Sequence, residues 1–124
     1  LGTSLWHSAD LLKKGSEYLD GAYFADSFFA NGFLPETNDF VDRYYSAYSR
    51  EPGNLEALTY DSVELVLSIL ENQKMTSRAE FIKSLLAVTG FRGATGSISF
   101  RDSRVAHKNA FILKVDNGKL VQVK

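Results

Sequence analysis

Cysteine is absent from this chain, which removes disulfides, thiolate metal sites and a cysteine nucleophile together and leaves the compartment open. An excess of one charge sign is also missing, because 14 Lys and Arg stand against 15 Asp and Glu for a formal net charge of −1. So balanced a surface gives no single-signed field to hold a polyanion, and no nucleic-acid partner is expected. Long apolar runs are lacking too: none approaches the roughly 20 residues that cross a bilayer, and the longest, 63–70, is broken by Glu64 and Ser68. There is no initiator Met, and Leu1, Gly2, Thr3, Ser4, Leu5, Trp6 has neither the basic start nor the small-residue cleavage site of a signal peptide. It reads like the end of a strand cut into. The expectation is therefore one fragment, 1–124, of a longer protein whose export signal lies upstream.

What is present suffices for a folded domain. The 124 residues are 44% apolar and 13% aromatic, enough to bury a core. Ser8 can cap a short helix through Asp10, Leu11 and Leu12, with Gly15 placed to end it in a left-handed cap. Tyr23, Phe24, Phe28 and Phe29 fit a buried strand and the loop leaving it, and Asn31, Gly32 and Pro35 break the chain. Asn38 can cap a second helix, in which Phe40, Tyr44 and Tyr48 recur on one face with Val41 and Tyr45 beside them. After the turn at Pro52, Gly53 and Asn54 comes a helix carrying Leu58, Val63, Leu65, Val66, Leu67, Ile69 and Leu70, apolar enough to be covered on more than one side. Ser77 and Glu80 have capping-box spacing before a helix expected to bury Phe81, Ile82, Leu85 and Leu86.

Beyond that helix the pattern changes to sheet. Gly90, Gly93 and Gly96 punctuate a turn, and Ile98 and Phe100 alternate with Ser97 and Ser99. Asn117-Gly118, between two apolar runs, accepts the positive φ angles of a type I′ hairpin. Strand, helix, strand, three helices and an antiparallel tail make the class α/β.

The residue inventory holds no catalytic constellation. His7 and His107 are isolated in sequence and form no metal-ligand pattern, so no metal or other cofactor is expected. Asp39 and Asp42 read as helix N-terminal charge, and the glycines from Gly90 to Gly96 lead into a strand without the Lys-Ser/Thr of a phosphate loop. Ser4 lacks the second glycine of a nucleophile elbow. One segment remains: Thr3, Ser4 and Trp6, where an apparent strand ends and a helix begins. Ligands of open α/β sheets sit outside the carboxyl ends of strands, so these residues are candidate ligand contacts. The alternative is that Thr3 and Ser4 cap the next turn and Trp6 is core.

Several separated motifs resemble one family. Leu1-Gly2-Thr3-Ser4-Leu5-Trp6, the Gly21-Ala22-Tyr23-Phe24 strand, Tyr60-Asp61-Ser62-Val63, and above all Phe91-x-Gly93-x-Thr95-Gly96-x-Ile98-x-Phe100 are similar to landmarks in the C-terminal third of type I periplasmic solute-binding proteins, the branched-chain amino-acid receptors of ABC transporters. The resemblance implies a three-layer lobe, a mainly parallel sheet flanked by helices with a C-terminal antiparallel hairpin, in a two-lobed protein hinged to close on a small solute. It implies a periplasmic or otherwise extracytoplasmic location, with a lipid anchor upstream as one mode of attachment, an ABC transporter permease as partner, and no enzymatic step. It places Thr3, Ser4 and Trp6 on the cleft, and assigns Tyr60 and Asp61 to packing and helix capping near the lobe junction. The first loop lacks the carboxylate that such receptors use for a ligand ammonium, which leaves an amino-acid ligand open.

Gly2-Thr3-Ser4-Leu5-Trp6, with Phe28 and Phe29, also resembles the lipoproteins that activate peptidoglycan-synthesising penicillin-binding proteins, where the domain would be an interaction module. A piece of a two-lobed fold leaves sheet edges and apolar faces uncovered, so pairing with a second copy is expected of the isolated fragment.

Overall fold

The computed structural model describes residues 1–2, 7, 14–15, 18–72, 74–101 and 103–123. Its longest strand, β5 (Phe111–Asp116), buries Phe111, Leu113 and Val115 and exposes Ile112, as the two-residue period of a half-covered strand requires. β1 (Tyr23–Asp26) lies antiparallel along one side, with Phe24 opposite Leu113, and β6 (Lys119–Gln122) along the other, with Leu120 opposite Val115. Asn117 and Gly118 turn the β5–β6 hairpin at φ 50° and 74°, the twist-compatible geometry expected of that pair. Phe24, Phe29, Phe111, Leu113 and Val115 form the buried core of this sheet.

A second sheet, in the order β2 (Phe91–Gly93), β3 (Gly96–Ser99), β4 (His107–Lys108), has its own core of Phe28, Phe40, Ala57 and Ala94. Helices α1 (Pro35–Tyr48), α2 (Asn54–Asn72) and α3 (Arg78–Leu86) precede it. Phe28 and Phe29 are sequence neighbours that anchor different cores. The backbone passes between the two sheets at 27–34, after β1, and at 109–110, before β5.

The mixture of helix and sheet is as expected, but strand direction is not. Every ladder among the described residues is antiparallel, and the parallel component is one bridge between Gly2 and Phe24, with the Gly2 N–H donating to the Tyr23 carbonyl at 2.9 Å. A parallel neighbour needs a crossover that returns the chain to its starting end. Here the excursion through both cores brings β5 back beside β1 running the other way, and a tight turn adds β6.

The helices depart from expectation at their ends and faces. Lys14 and Gly15 are both helical, so Gly15 lies within a turn of helix, while the expected cap at Ser8 and the residues Asp10, Leu11 and Leu12 lie outside the described residues. α1 starts at Pro35 with Leu34 as N-cap, one turn before the cap expected at Asn38. Proline suits that position because its ring presets φ and its missing N–H would have no intrahelical partner there. Ser77 accepts the Glu80 N–H at 3.3 Å, but the Glu80 carboxylate takes the Thr76 N–H at 2.8 Å, so the reciprocal bond is displaced by one residue. No residue of α3 is fully buried, because α3 packs chiefly along α2. α2 buries Ala57, Asp61, Leu65 and Ile69 on one stripe, while Val63, Val66, Leu67 and Leu70 are exposed, so among the described residues it is covered on one side. Ser99 is buried, against the alternation, and its hydroxyl oxygen accepts the Gly90 N–H at 2.8 Å.

α2 and the β2–β3 hairpin are joined by a buried carboxylate. Asp61 accepts the Ala94 N–H at 2.7 Å, the Thr95 N–H at 2.9 Å and the Thr95 hydroxyl proton. It therefore caps a hairpin turn rather than a helix. The approach is so close that a Cβ on Gly93 would stand 2.4 Å from the carboxylate, which is why that position is glycine. The Thr37 hydroxyl of α1 donates to the Ala94 carbonyl at 2.6 Å, and Lys108 of β4 donates to the Thr95 hydroxyl oxygen. Burial pulls the Lys108 pKa below its ordinary value, against the opposing charge of Asp61.

Asp61→Ala strips two buried amides of their acceptor and is expected to lower the free energy of unfolding by about 2–5 kcal/mol. Urea denaturation measures this, and a shift under about 1 kcal/mol with an unchanged m-value would show the turn to be held by other means.

Candidate functional site

Phe24 and Asp26 share the inward face of β1, which places a carboxylate in the interior at the strand's carboxyl end. A buried charge persists only with partners. Asp26 has three: His7 Nδ1 lies 2.5 Å from Oδ2, and Oδ1 accepts from Asn54 Nδ2 at 2.5 Å and from the Ser27 N–H at 2.6 Å. The Ser27 hydroxyl donates in turn to Asn54 Oδ1 at 2.9 Å. Burial would raise the Asp26 pKa, but the hydrogen bonds from His7, Asn54 and Ser27 outweigh it and hold the group below the ordinary value of 3.8. Since an ionised carboxylate only accepts, His7 carries its proton on Nδ1. The imidazole also lies 6.4 Å from the ring centres of Phe24 and Phe29, which fixes its plane.

Asp26 ends β1 and Asn54 begins α2, so this network ties the first core to the second. Beside it opens a cavity of about 150 Å³ bounded by His7, Phe28, Phe29, Asn31, Glu51 and Asn54. It opens at the carboxyl end of β1, between residues of the two cores. Larger grooves run between the helices, but the cations of the one between α1 and α2 are already paired: Arg43 donates to Asp39 and to the Tyr60 hydroxyl oxygen, and Arg50 to Glu56 at 3.0 Å.

Thr3, Ser4 and Trp6 lie outside the described residues. Their flanks are defined: Gly2 is bridged to Phe24, and His7 sits on Asp26. Tyr60 and Asp61 stand apart from this cavity, around α2 and the hairpin. Asp26, Asn54 and Glu51 were missed by sequence reasoning, and His7 was read as isolated. A charged residue at an inward strand position beside a turn is the signal that Asp26 offered. Among the described residues, no group of three or more His, Asp or Glu is placed to hold a metal ion, and no helix is long and apolar enough to cross a membrane.

Residues 1–119 match the model of a family described as periplasmic binding protein. No curated protein matches the chain. Among solved structures it is similar to a Rhodospirillum rubrum protein assigned to the branched-chain amino acid ABC transporters, at TM-score 0.89 and 24% identity over 98% of this chain and 36% of that one. It is similar to a leucine binding protein of Thermotoga maritima at TM-score 0.75 and 24% identity, over 98% of this chain and 35% of the other. A branched-chain amino acid transporter substrate binding protein of Streptococcus pneumoniae, solved in complex with isoleucine, matches at TM-score 0.72 and 27% identity over 98% of this chain and 36% of its own. The chain thus spans about a third of the length of the structures it resembles.

Because the folded pKa of Asp26 is depressed, its stabilising contribution is complete above the ordinary value of 3.8 and is lost as the pH falls through the folded value. Asp26→Asn is expected to melt well below the wild type at neutral pH, with the gap closing on acidification below pH 3.8. Melting curves across that range check it, and a gap independent of pH would mean that the charge of Asp26 is immaterial.

Proposed function

This chain belongs to the periplasmic binding protein family, and we propose that it is part of an extracytoplasmic receptor that captures a small solute, an amino acid or a similar metabolite, for an ABC transporter. The observation that carries this reading is the cavity at the carboxyl end of β1, set where the two cores meet. Two separately packed cores joined at 27–34 and 109–110 suit a protein that works by rotating one body against another, with the bound state favoured by contacts made only on closure. The solute-bound Streptococcus pneumoniae structure, which holds isoleucine, supports an amino acid as the ligand class.

In this reading Thr3 and Ser4 offer hydroxyls, and Trp6 an indole, to the solute. The rest of the site, including groups for an α-carboxylate, comes from sequence outside this chain. The family is one of solute-binding receptors rather than enzymes, and binding followed by delivery to a permease needs no covalent step. Attachment through an upstream lipid anchor fits a receptor that must stay near its permease. The exposed Val63, Val66, Leu67 and Leu70 face of α2 supports pairing of the isolated chain with a second copy.

Thermal-shift titration of the intact protein against amino acids and other small metabolites tests the receptor reading. A true ligand raises the melting temperature saturably, with about 2.7 kcal/mol of stabilisation at a hundredfold excess over Kd. No shift with any compound, from a folded protein, would reject it in favour of a protein-interaction domain acting in peptidoglycan synthesis. Light scattering on the isolated chain is expected to give a dimer, and a monodisperse monomer would overturn the self-association.

A further inference from the structure

The two cores belong to bodies that share little packing. In the first, β1 and β6 lie on β5; in the second, α1 and α2 pack on β2, β4 pairs with β3 and α3 lies along α2, so the principal contacts between elements stay within one body or the other. The salt bridges among the described residues do the same. His7 with Asp26 and Lys114 with Asp116 belong to the first body, and Arg43 with Asp39, Arg50 with Glu56 and Arg92 with Glu36 to the second. Beside the backbone at 27–34 and 109–110, the side chain of Asn54 makes the crossing.

Asn54 is the first residue of α2 and spends both ends of its amide on the last residue of β1 and the first beyond it. Its Nδ2 donates to Asp26 Oδ1 at 2.5 Å, and its Oδ1 accepts the Ser27 hydroxyl proton at 2.9 Å. An Asn at a helix start ordinarily turns its oxygen on the free N–H groups of its own helix. Here that oxygen is taken by Ser27, while the Gly53 N–H just before the helix goes to the Glu56 carboxylate at 3.0 Å. The side chain therefore serves the junction rather than α2. Both bonds depend on distance and angle, so a rotation of one body against the other breaks them together. Asn54 also lines the cavity at the end of β1, where water can take the place of both partners, which makes the release reversible.

We propose that Asn54 is a clip between the two bodies, a positioning residue whose paired hydrogen bonds to Asp26 and Ser27 hold this arrangement and set the fraction of molecules that leave it. The inference rests on the receptor reading for its consequence: apparent affinity for a solute scales with the fraction of molecules in the arrangement that binds it. Hydrogen–deuterium exchange and small-angle X-ray scattering on the intact protein, with no solute added, test the clip itself. The Ser27 N–H is held by Asp26 and the Gly32 N–H by the Phe29 carbonyl, both at the crossing, and the Ala94 and Thr95 N–H groups are held by Asp61 inside the second body. Asn54→Ala removes two hydrogen bonds and is expected to speed exchange at Ser27 and Gly32 at least about tenfold and to change the scattering profile, with Ala94 and Thr95 exchanging as in the wild type. Ser27→Ala removes one bond, leaves every partner of Asp26 in place, and should act in the same direction by about threefold. Unchanged scattering in both variants, or exchange that rises as much at Ala94 and Thr95 as at the crossing, overturns the clip, since local loosening or general unfolding then accounts for the effect. Either result leaves the receptor reading to stand or fall on solute binding.

Discussion

The second core depends on one carboxylate, Asp61, held out of water by the turn it organises. A turn in the interior presents amide N–H groups with no strand partner, and leaving them unpaired costs more than the net value of an ordinary hydrogen bond. Asp61 accepts two of them and the Thr95 hydroxyl as well. From that point the constraints spread: Gly93 can have no side chain, Thr37 locks α1 to the same turn, and Lys108 brings β4 to it. Two helices, α1 and α2, are thereby registered against a small sheet that has few apolar residues of its own.

Asp26 does the corresponding work between the cores. Its partners come from three places in the chain, the residue just past the 3–6 segment, the start of α2, and its own turn. Such a junction makes the geometry of the cavity answer to the relative position of the two cores. A receptor that closes on its ligand needs that dependence, because a solute can shift an equilibrium between two arrangements only by contacts that differ between them. The network engages His7 through Nδ1 and Asn54 through both its amide nitrogen and its oxygen.

The family motifs acquire a physical meaning in this arrangement. Tyr-Asp at the middle of α2 and Gly-x-Thr-Gly in the hairpin are two halves of one interaction, separated by 33 residues between Asp61 and Ala94. The hairpin motif was the specific part of the resemblance, and the helix cap that the resemblance implied for Asp61 is instead a cap on that hairpin's turn. Polar residues that look dispensable singly become obligatory when each is the other's only buried partner.

What could be read from the chain alone was local. The Asn117-Gly118 turn follows from which residues tolerate positive φ, the strands beside it from the apolar runs it separates, and the existence of the helices from apolar periodicity, all properties of a few neighbouring residues. The α1 start was misjudged by one turn because Asn38 is a good cap by type, whereas Pro35 sets the backbone earlier. Tertiary structure decided the rest. Whether α3 is buried, which way β5 runs beside β1, and that His7 meets Asp26 across 19 residues and Asn54 meets it across 28 depend on how distant segments are brought together. No local propensity encodes those meetings, since a carboxylate has the same intrinsic chemistry in a strand facing water and in one facing another helix's first residue.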